Sequence, residues 1–208
     1  MLNELQHFDD CFLYLECLFL QANQKEMKFE EYLAYFEAIL ADPEKYPPYS
    51  NVEYLNYAKL NWSRMNRWLK RFEVNEDLKS RIAAVTDPQQ WLLITEPWCG
   101  DASHIVPFIE LMAKENELIS VSYELRDSEP FRIEKYLTNG TRSIPKIIVQ
   151  DAKGNDLAVW GPRPQECQAI FMSEKEKGGD FESLKITLQK WYNADKGEKI
   201  QQEITALL

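Results

Sequence analysis

The chain is short of several things. Its 208 residues contain only seven glycines and two histidines, His7 and His104. Few glycines argue for helices over long loops. The four cysteines, Cys11, Cys17, Cys99 and Cys167, are too few for a disulfide framework in a chain of this size. No CxxC occurs, and no Cys/His grouping has zinc spacing, so neither a metal site nor a cofactor is expected. The longest apolar run, Cys11–Leu20, is interrupted by Glu16 and is far below the ~20 apolar residues of a membrane helix. No basic residue precedes Lys25, which leaves a secretory leader without its positive start. The expected setting is therefore the cytoplasm, away from membranes. Basic charge is also in deficit: 24 Lys and Arg against 34 Asp and Glu give a net charge of −10, which disfavours nucleic acid as a partner for the whole chain.

What is abundant is aromatic and apolar material. Six Trp, ten Tyr and ten Phe can fill a sizeable core. Residues 1–86 read as helical. Phe29, Leu33, Phe36 and Leu40 form one stripe; Leu55, Ala58, Trp62, Met65, Leu69 and Phe72 form a second. Asp42-Pro43 ends the first helix, Ser50 or Asn51 can cap the second, and a third short helix is expected over Asp77–Val85. Cys11 and Cys17 read as core residues of an amphipathic helix.

After Asp87-Pro88 the pattern changes. Strands are expected at Trp91–Thr95, Ile119–Leu125, Lys146–Gln150 and Leu157–Trp160, the last two joined by a polar turn containing Gly154. Helices are expected at Cys99–Lys114, Phe131–Leu137 and Pro164–Met172, and from the Asp180 cap to Tyr192, before a tail with a weak helix near Ile200–Leu208. The order β-α-β-α-β-β-α implies a mixed sheet covered by helices. The expected organisation is a helical extension over 1–86, an α/β domain over 87–195 and a tail over 196–208.

The stretch that carries chemistry is Glu96-Pro97-Trp98-Cys99-Gly100-Asp101-Ala102. A cysteine between a strand and a helix meets unpaired N–H groups and the helix dipole, both of which favour thiolate. Part of its sulfur is expected to be accessible. Gly100 lets a partner approach the sulfur, and Trp98 offers an apolar platform. Pro107 lies inside the following helix, and Ser143-Ile144-Pro145 precedes an apolar strand, which makes Pro145 a candidate cis residue.

Trp98-Cys99-Gly100 with Pro107, Ile144-Pro145 before a strand, the hairpin, and Gly161 before the next helix resemble the thioredoxin superfamily over residues 87–175. Small bacterial proteins of the thioredoxin-like kind can carry a helical extension such as residues 1–86. The resemblance implies a thioredoxin-like mixed sheet flanked by helices, a cis Pro145 lying against Cys99, Cys99 as the nucleophile, and substrate binding by Trp98, Gly100 and the Ile144 backbone. Two departures stand out. The position of the second cysteine holds Ala102, so exchange cannot finish within this motif. The position of the buried acid holds Leu93. Asp101 is a modulating residue: its carboxylate suits a helix start but opposes ionisation of Cys99, as does Glu96. The two effects nearly cancel, and Cys99 is expected to titrate modestly below a free thiol.

The implied function is that of a monothiol oxidoreductase or thiol-handling protein in cell redox homeostasis, with protein thiols and disulfides or a low-molecular-weight thiol as partners. The alternative is a redox-inert binding module that uses the Trp98/Ile144-Pro145 groove. Cys167 and His104 are weaker candidates, as resolving thiol and as base; a packed or solvated role suits His104 better. Lys59, Arg64, Arg67, Lys70 and Arg71 lie in one acid-free segment. That segment is either a face paired with the chain's own acids or a docking surface for an acidic protein.

Overall fold

The computed structural model describes residues 27–208. Cys11, Cys17, His7 and the start of the expected extension lie outside the described residues. In order, the elements are α1 (Phe29–Ala41), a 3-10 turn (Pro43–Lys45), α2 (Val52–Arg71), α3 (Glu76–Ala83), β1 (Gln89–Thr95), α4 (Ala102–Ala113), β2 (Ile119–Leu125), a second 3-10 turn (Arg132–Lys135), β3 (Lys146–Asp151), β4 (Asp156–Trp160), α5 (Gln165–Glu176), α6 (Phe181–Asp195) and α7 (Glu198–Leu207).

The four strands form one mixed sheet in the order β2-β1-β3-β4. β1 runs parallel to β2 and antiparallel to β3, and β3 pairs antiparallel with β4. Trp91 to Thr95 are all buried, as in a central strand covered on both faces. β4 is an edge strand whose Leu157 and Val159 face solvent. The β3–β4 turn is held by Asp151, whose carboxylate accepts from the backbone N–H groups of Lys153 and Asn155 at 2.8 and 2.9 Å.

Local chemistry sets the helix starts. Asn51 accepts from the Glu53 N–H at 2.8 Å, and Asp180 accepts from the Ser183 N–H at 2.9 Å. The segment Phe131–Leu137 forms only the second 3-10 turn, after Pro130 and with Phe131 at φ 54°.

The helical layer is aromatic. On α1 the buried line is Phe29, Tyr32, Phe36 and Ile39, while Leu33 and Leu40 lie at its margin. Tyr32 stacks on Tyr123 of β2 at 5.2 Å. On α2 the buried line is Ala58, Asn61, Met65 and Trp68, continued by Phe72; Trp62 and Leu69 are half-buried. Trp68 and Phe72 meet Phe108 of α4, with centroids 5.2 and 4.4 Å apart. Each such side chain, buried from water, contributes roughly 1.5–3 kcal/mol. This packing lays α2 along α4 and across the turn that precedes it. The C-terminal segment carries α7, whose Ile200 and Ile204 are buried. Gly197 before it has φ +86°, and a Cβ there would stand 2.6 Å from the Phe72 ring.

Candidate functional site

The β1–α4 turn and the loop entering β3 meet at Cys99. The helix begins at Ala102, three residues later than the Cys99 start expected from sequence. The Cys99 N–H bonds to the Glu96 carbonyl at 3.0 Å, and the Cys99 carbonyl accepts from Ser103 at 3.3 Å, so Cys99 closes a turn ahead of the helix. Its Sγ donates to the Ile144 carbonyl at 3.4 Å. The Ile144–Pro145 peptide is cis.

This loop is fixed from two sides. Gly161 has φ +117°, and a Cβ there would lie 2.3 Å from the Pro145 carbonyl oxygen, so the close approach excludes any side chain. Lys146, nearly buried, donates to Thr138 Oγ1 at 2.5 Å and to the Gly161 carbonyl at 3.1 Å.

The other flank is built by α2. Asn61, 1% exposed, donates from Nδ2 to the Pro97 carbonyl at 3.0 Å. Tyr54 stands edge-on to Trp98 at 6.1 Å, and the Arg126 guanidinium lies 4.6 Å above the Trp98 ring. Trp98 is half-buried. Around a Cβ built on Gly100, only Arg64 Nη1 comes within 4.0 Å, so that side of the turn is open.

Cys99 is 7% exposed, not accessible as expected. Its thiol is pushed up to about 12, by burial first and by the Asp101 charge second; the Ala102 and Asp101 N–H groups and Arg163 oppose the rise. The helix-start donors are present, but desolvation outweighs them. The near-cancellation expected between the helix terminus and Asp101 is corrected in the same way. Asp101 is itself buried, accepts from the Tyr192 hydroxyl at 2.9 Å and pairs with Arg163 at 2.7 Å. Much of its charge is therefore met by Arg163.

Leu93 is fully buried and Ala102 is 2% exposed, so no acid or second thiol stands at those two positions. Cys167 is buried and free, as is Cys99. His104 is a packed residue: Nδ1 accepts from Trp68 Nε1 at 2.7 Å, Nε2 meets Gln189 Oε1 at 3.1 Å, and its ring stacks on Tyr192 at 4.1 Å. Burial lowers its pKa to about 3, so it is a neutral imidazole with the proton on Nε2. Among the described residues no group of three or more acids, histidines and cysteines could hold a metal ion. None of their helices is long and apolar enough to cross a membrane.

Sequence reasoning missed several residues at this site. Arg163 and Tyr192 reach Asp101 from sequence separations of 62 and 91 residues, and no local signal marks them. Asn61 is the exception, a polar residue on an otherwise apolar helix line. Glu96 was seen only as a charge. Its carboxylate is 5% exposed, accepts from the Asp127 N–H at 3.2 Å and interacts with Tyr32, Tyr35 and Tyr49; burial raises it to about 7. Of the five bases between Lys59 and Arg71, none makes an ion pair with an acid among the described residues.

A family model described as thioredoxin matches residues 49–177, which takes in α2 as well as the sheet. No curated protein matches the chain. Among solved structures, a protein of unknown function from Pseudomonas aeruginosa is 16% identical, with a TM-score of 0.54 over 71% of this chain and 83% of that one. An HIV epitope scaffold is 14% identical, with a TM-score of 0.54 over 73% of this chain and 88% of that one. These likenesses concern the fold alone.

Proposed function

Because the chain belongs to the thioredoxin family, we propose that it is a monothiol member that handles thiols through Cys99 in cell redox homeostasis. The observation that carries this reading is the meeting of Cys99 Sγ with the Ile144 carbonyl, directly before cis-Pro145, beside an open Gly100. In the proposed cycle the Cys99 proton leaves to solvent and the thiolate attacks a disulfide. One S–S bond forms to Cys99 as the substrate's own breaks, and the leaving sulfur departs as a thiolate. An external thiol then attacks the mixed disulfide, restores Cys99 and carries the oxidation away. No second thiol within the motif completes the exchange, because Ala102 stands where one would be required. Protein thiols and disulfides or a low-molecular-weight thiol are the proposed partners, in the cytoplasm.

In the resting structure burial holds the Cys99 thiol protonated, its pKa pushed up to about 12. A substrate has to uncover the sulfur and displace it from the Ile144 carbonyl. The burial that imposes this also favours a second reading, a redox-inert module that binds a peptide at Trp98 and Ile144-Pro145.

One experiment separates the two. A variant with Cys11, Cys17 and Cys167 replaced is incubated with an oxidised small thiol and weighed intact. The monothiol reading expects one adduct at Cys99, removed by added thiol. If the folded protein forms no adduct under conditions that fully modify the unfolded chain, the monothiol reading fails and the binding module stands.

A further inference from the structure

Among the described residues the site holds a cation with no ion-pair partner; the Asp101 charge favours it only from beyond ion-pair distance. Arg64 projects from α2, and its Nη1 lies 4.0 Å from the point where a Gly100 side chain would begin. Among the described residues its hydrogen bonding is a single bond, to Asn61 Oδ1 at 3.1 Å, and no acid pairs with it. Asn61 is at the same time fastened to the Pro97 carbonyl, so the guanidinium is anchored to the turn that carries Cys99. Its neighbour Arg67 bonds to Asn193 at 2.8 Å and keeps a buried Nε without a partner. Other basic groups at the site are engaged: Arg163 with Asp101, Arg126 with Asp127, Lys146 with Thr138 and the Gly161 carbonyl. A half-buried guanidinium left unpaired in a chain of charge −10 is costly unless an anion meets it. Its planar fork fits a carboxylate through two parallel bonds.

We infer that Arg64 binds a carboxylate of the molecule that forms a disulfide with Cys99, and that this molecule is a low-molecular-weight thiol carrying an acidic group. The inference rests on the monothiol reading and names its substrate class. A compact ligand fits better than a long peptide because the Pro97–Trp98 flank is already covered by Asn61 and Tyr54, whereas the Gly100 flank, where Arg64 lies, is open.

The test compares two probe disulfides on the variant that retains Cys99 alone. The anionic probe is 5,5′-dithiobis(2-nitrobenzoate), and the neutral one is 4,4′-dithiodipyridine. In each case Cys99 displaces one aryl thiolate, which is read by its absorbance, and the ratio of the two rates cancels any change in thiol exposure. Arg64→Gln should lower the anionic-to-neutral ratio by about tenfold, the order expected for one charge-assisted contact. Arg64→Lys should lie between the two. Without any variant, 1 M KCl should collapse the same ratio, since the screening length there is ~3 Å. A ratio within twofold in Arg64→Gln and unmoved by salt overturns the inference while leaving the monothiol reading intact. Failure of both probes to label Cys99 overturns both. A charge preference shown by a disulfide-linked acidic peptide but not by the small probe overturns the small-thiol occupant and assigns Arg64 to a protein partner.

Discussion

Replacing Asp101 by Asn tests how the site controls its thiol. The side chain keeps its shape and can still accept from Tyr192, but its charge disappears and Arg163 is left unpaired. Both members of the ion pair are largely buried, with side chains 13% and 10% exposed. Breaking such a pair from one side costs about 3 kcal/mol, the lower end of the range for buried pairs. That corresponds to a fall of about 1 M or more in the urea midpoint. The same change removes the second-largest cause of the raised Cys99 pKa and leaves Arg163, which favours the thiolate, unopposed. At an effective dielectric near 20, a nearby unit charge at about 4–8 Å is worth about 2–4 kcal/mol, and since Arg163 already meets part of it the thiol's pKa should fall by about one unit. Burial remains, so the thiol stays above its ordinary value. Iodoacetamide labelling of Cys99 at pH 8, in the variant lacking the other three cysteines, should rise about tenfold. Faster labelling could also follow from a loosened fold, so Arg163→Gln is the control. It breaks the same pair and should lower the urea midpoint comparably, yet it leaves Asp101 alone beside the sulfur and should slow labelling. Two variants destabilised alike but moving the rate in opposite directions identify charge as the cause. If both speed labelling, or neither changes it, the electrostatic account of Cys99 is wrong.

Two further outcomes follow from the same geometry. Glu96 is raised from 4.5 to about 7, so its contribution to stability is complete below pH ~4.5 and is lost as the pH climbs through 7, a loss on the order of 3 kcal/mol. His104, lowered to about 3, acts oppositely as the pH falls below 6.5, so the wild-type profile is a balance of the two. Glu96→Gln should remove the first contribution alone, making the protein more stable at pH 8 and its urea midpoint rise from pH 5 to 7.5; a variant whose midpoint tracks wild type at every pH refutes this. Gly161→Ala should cost about 3 kcal/mol or more, because its Cβ would strike the Pro145 carbonyl at 2.3 Å from an unfavourable φ of +117°. It should also speed Cys99 labelling as the Pro145 loop yields, and thermal melting with no loss would show that the loop moves freely.

The boundary between what the sequence reveals and what it hides follows the range of the interactions. β2 was legible residue for residue, and the Asn51 and Asp180 caps and the Gly154 turn were legible too, because each rests on contacts within a few residues. The junction bearing Cys99 was placed between β1 and α4 for the same reason, though with the helix start three residues early. Its chemical state was not. The thiol's pKa depends on burial, which excludes water from it, and on Arg163, far along the chain, and no spacing rule reports desolvation. The α2 stripe shows how small the margin is. The expected stripe shares Ala58, Met65 and Phe72 with the line that packs, but it runs through Trp62 and Leu69 where the packed line runs through Asn61 and Trp68. That shift of roughly 50° moves Asn61 from the margin of the stripe to the contact with Pro97, and brings Arg64 with it to the rim of the site. The acid-free segment in α2 was therefore visible as charge but not as part of the thiol site. Its position follows from packing against Phe108, and only that packing explains how residues outside the sheet come to flank the cysteine.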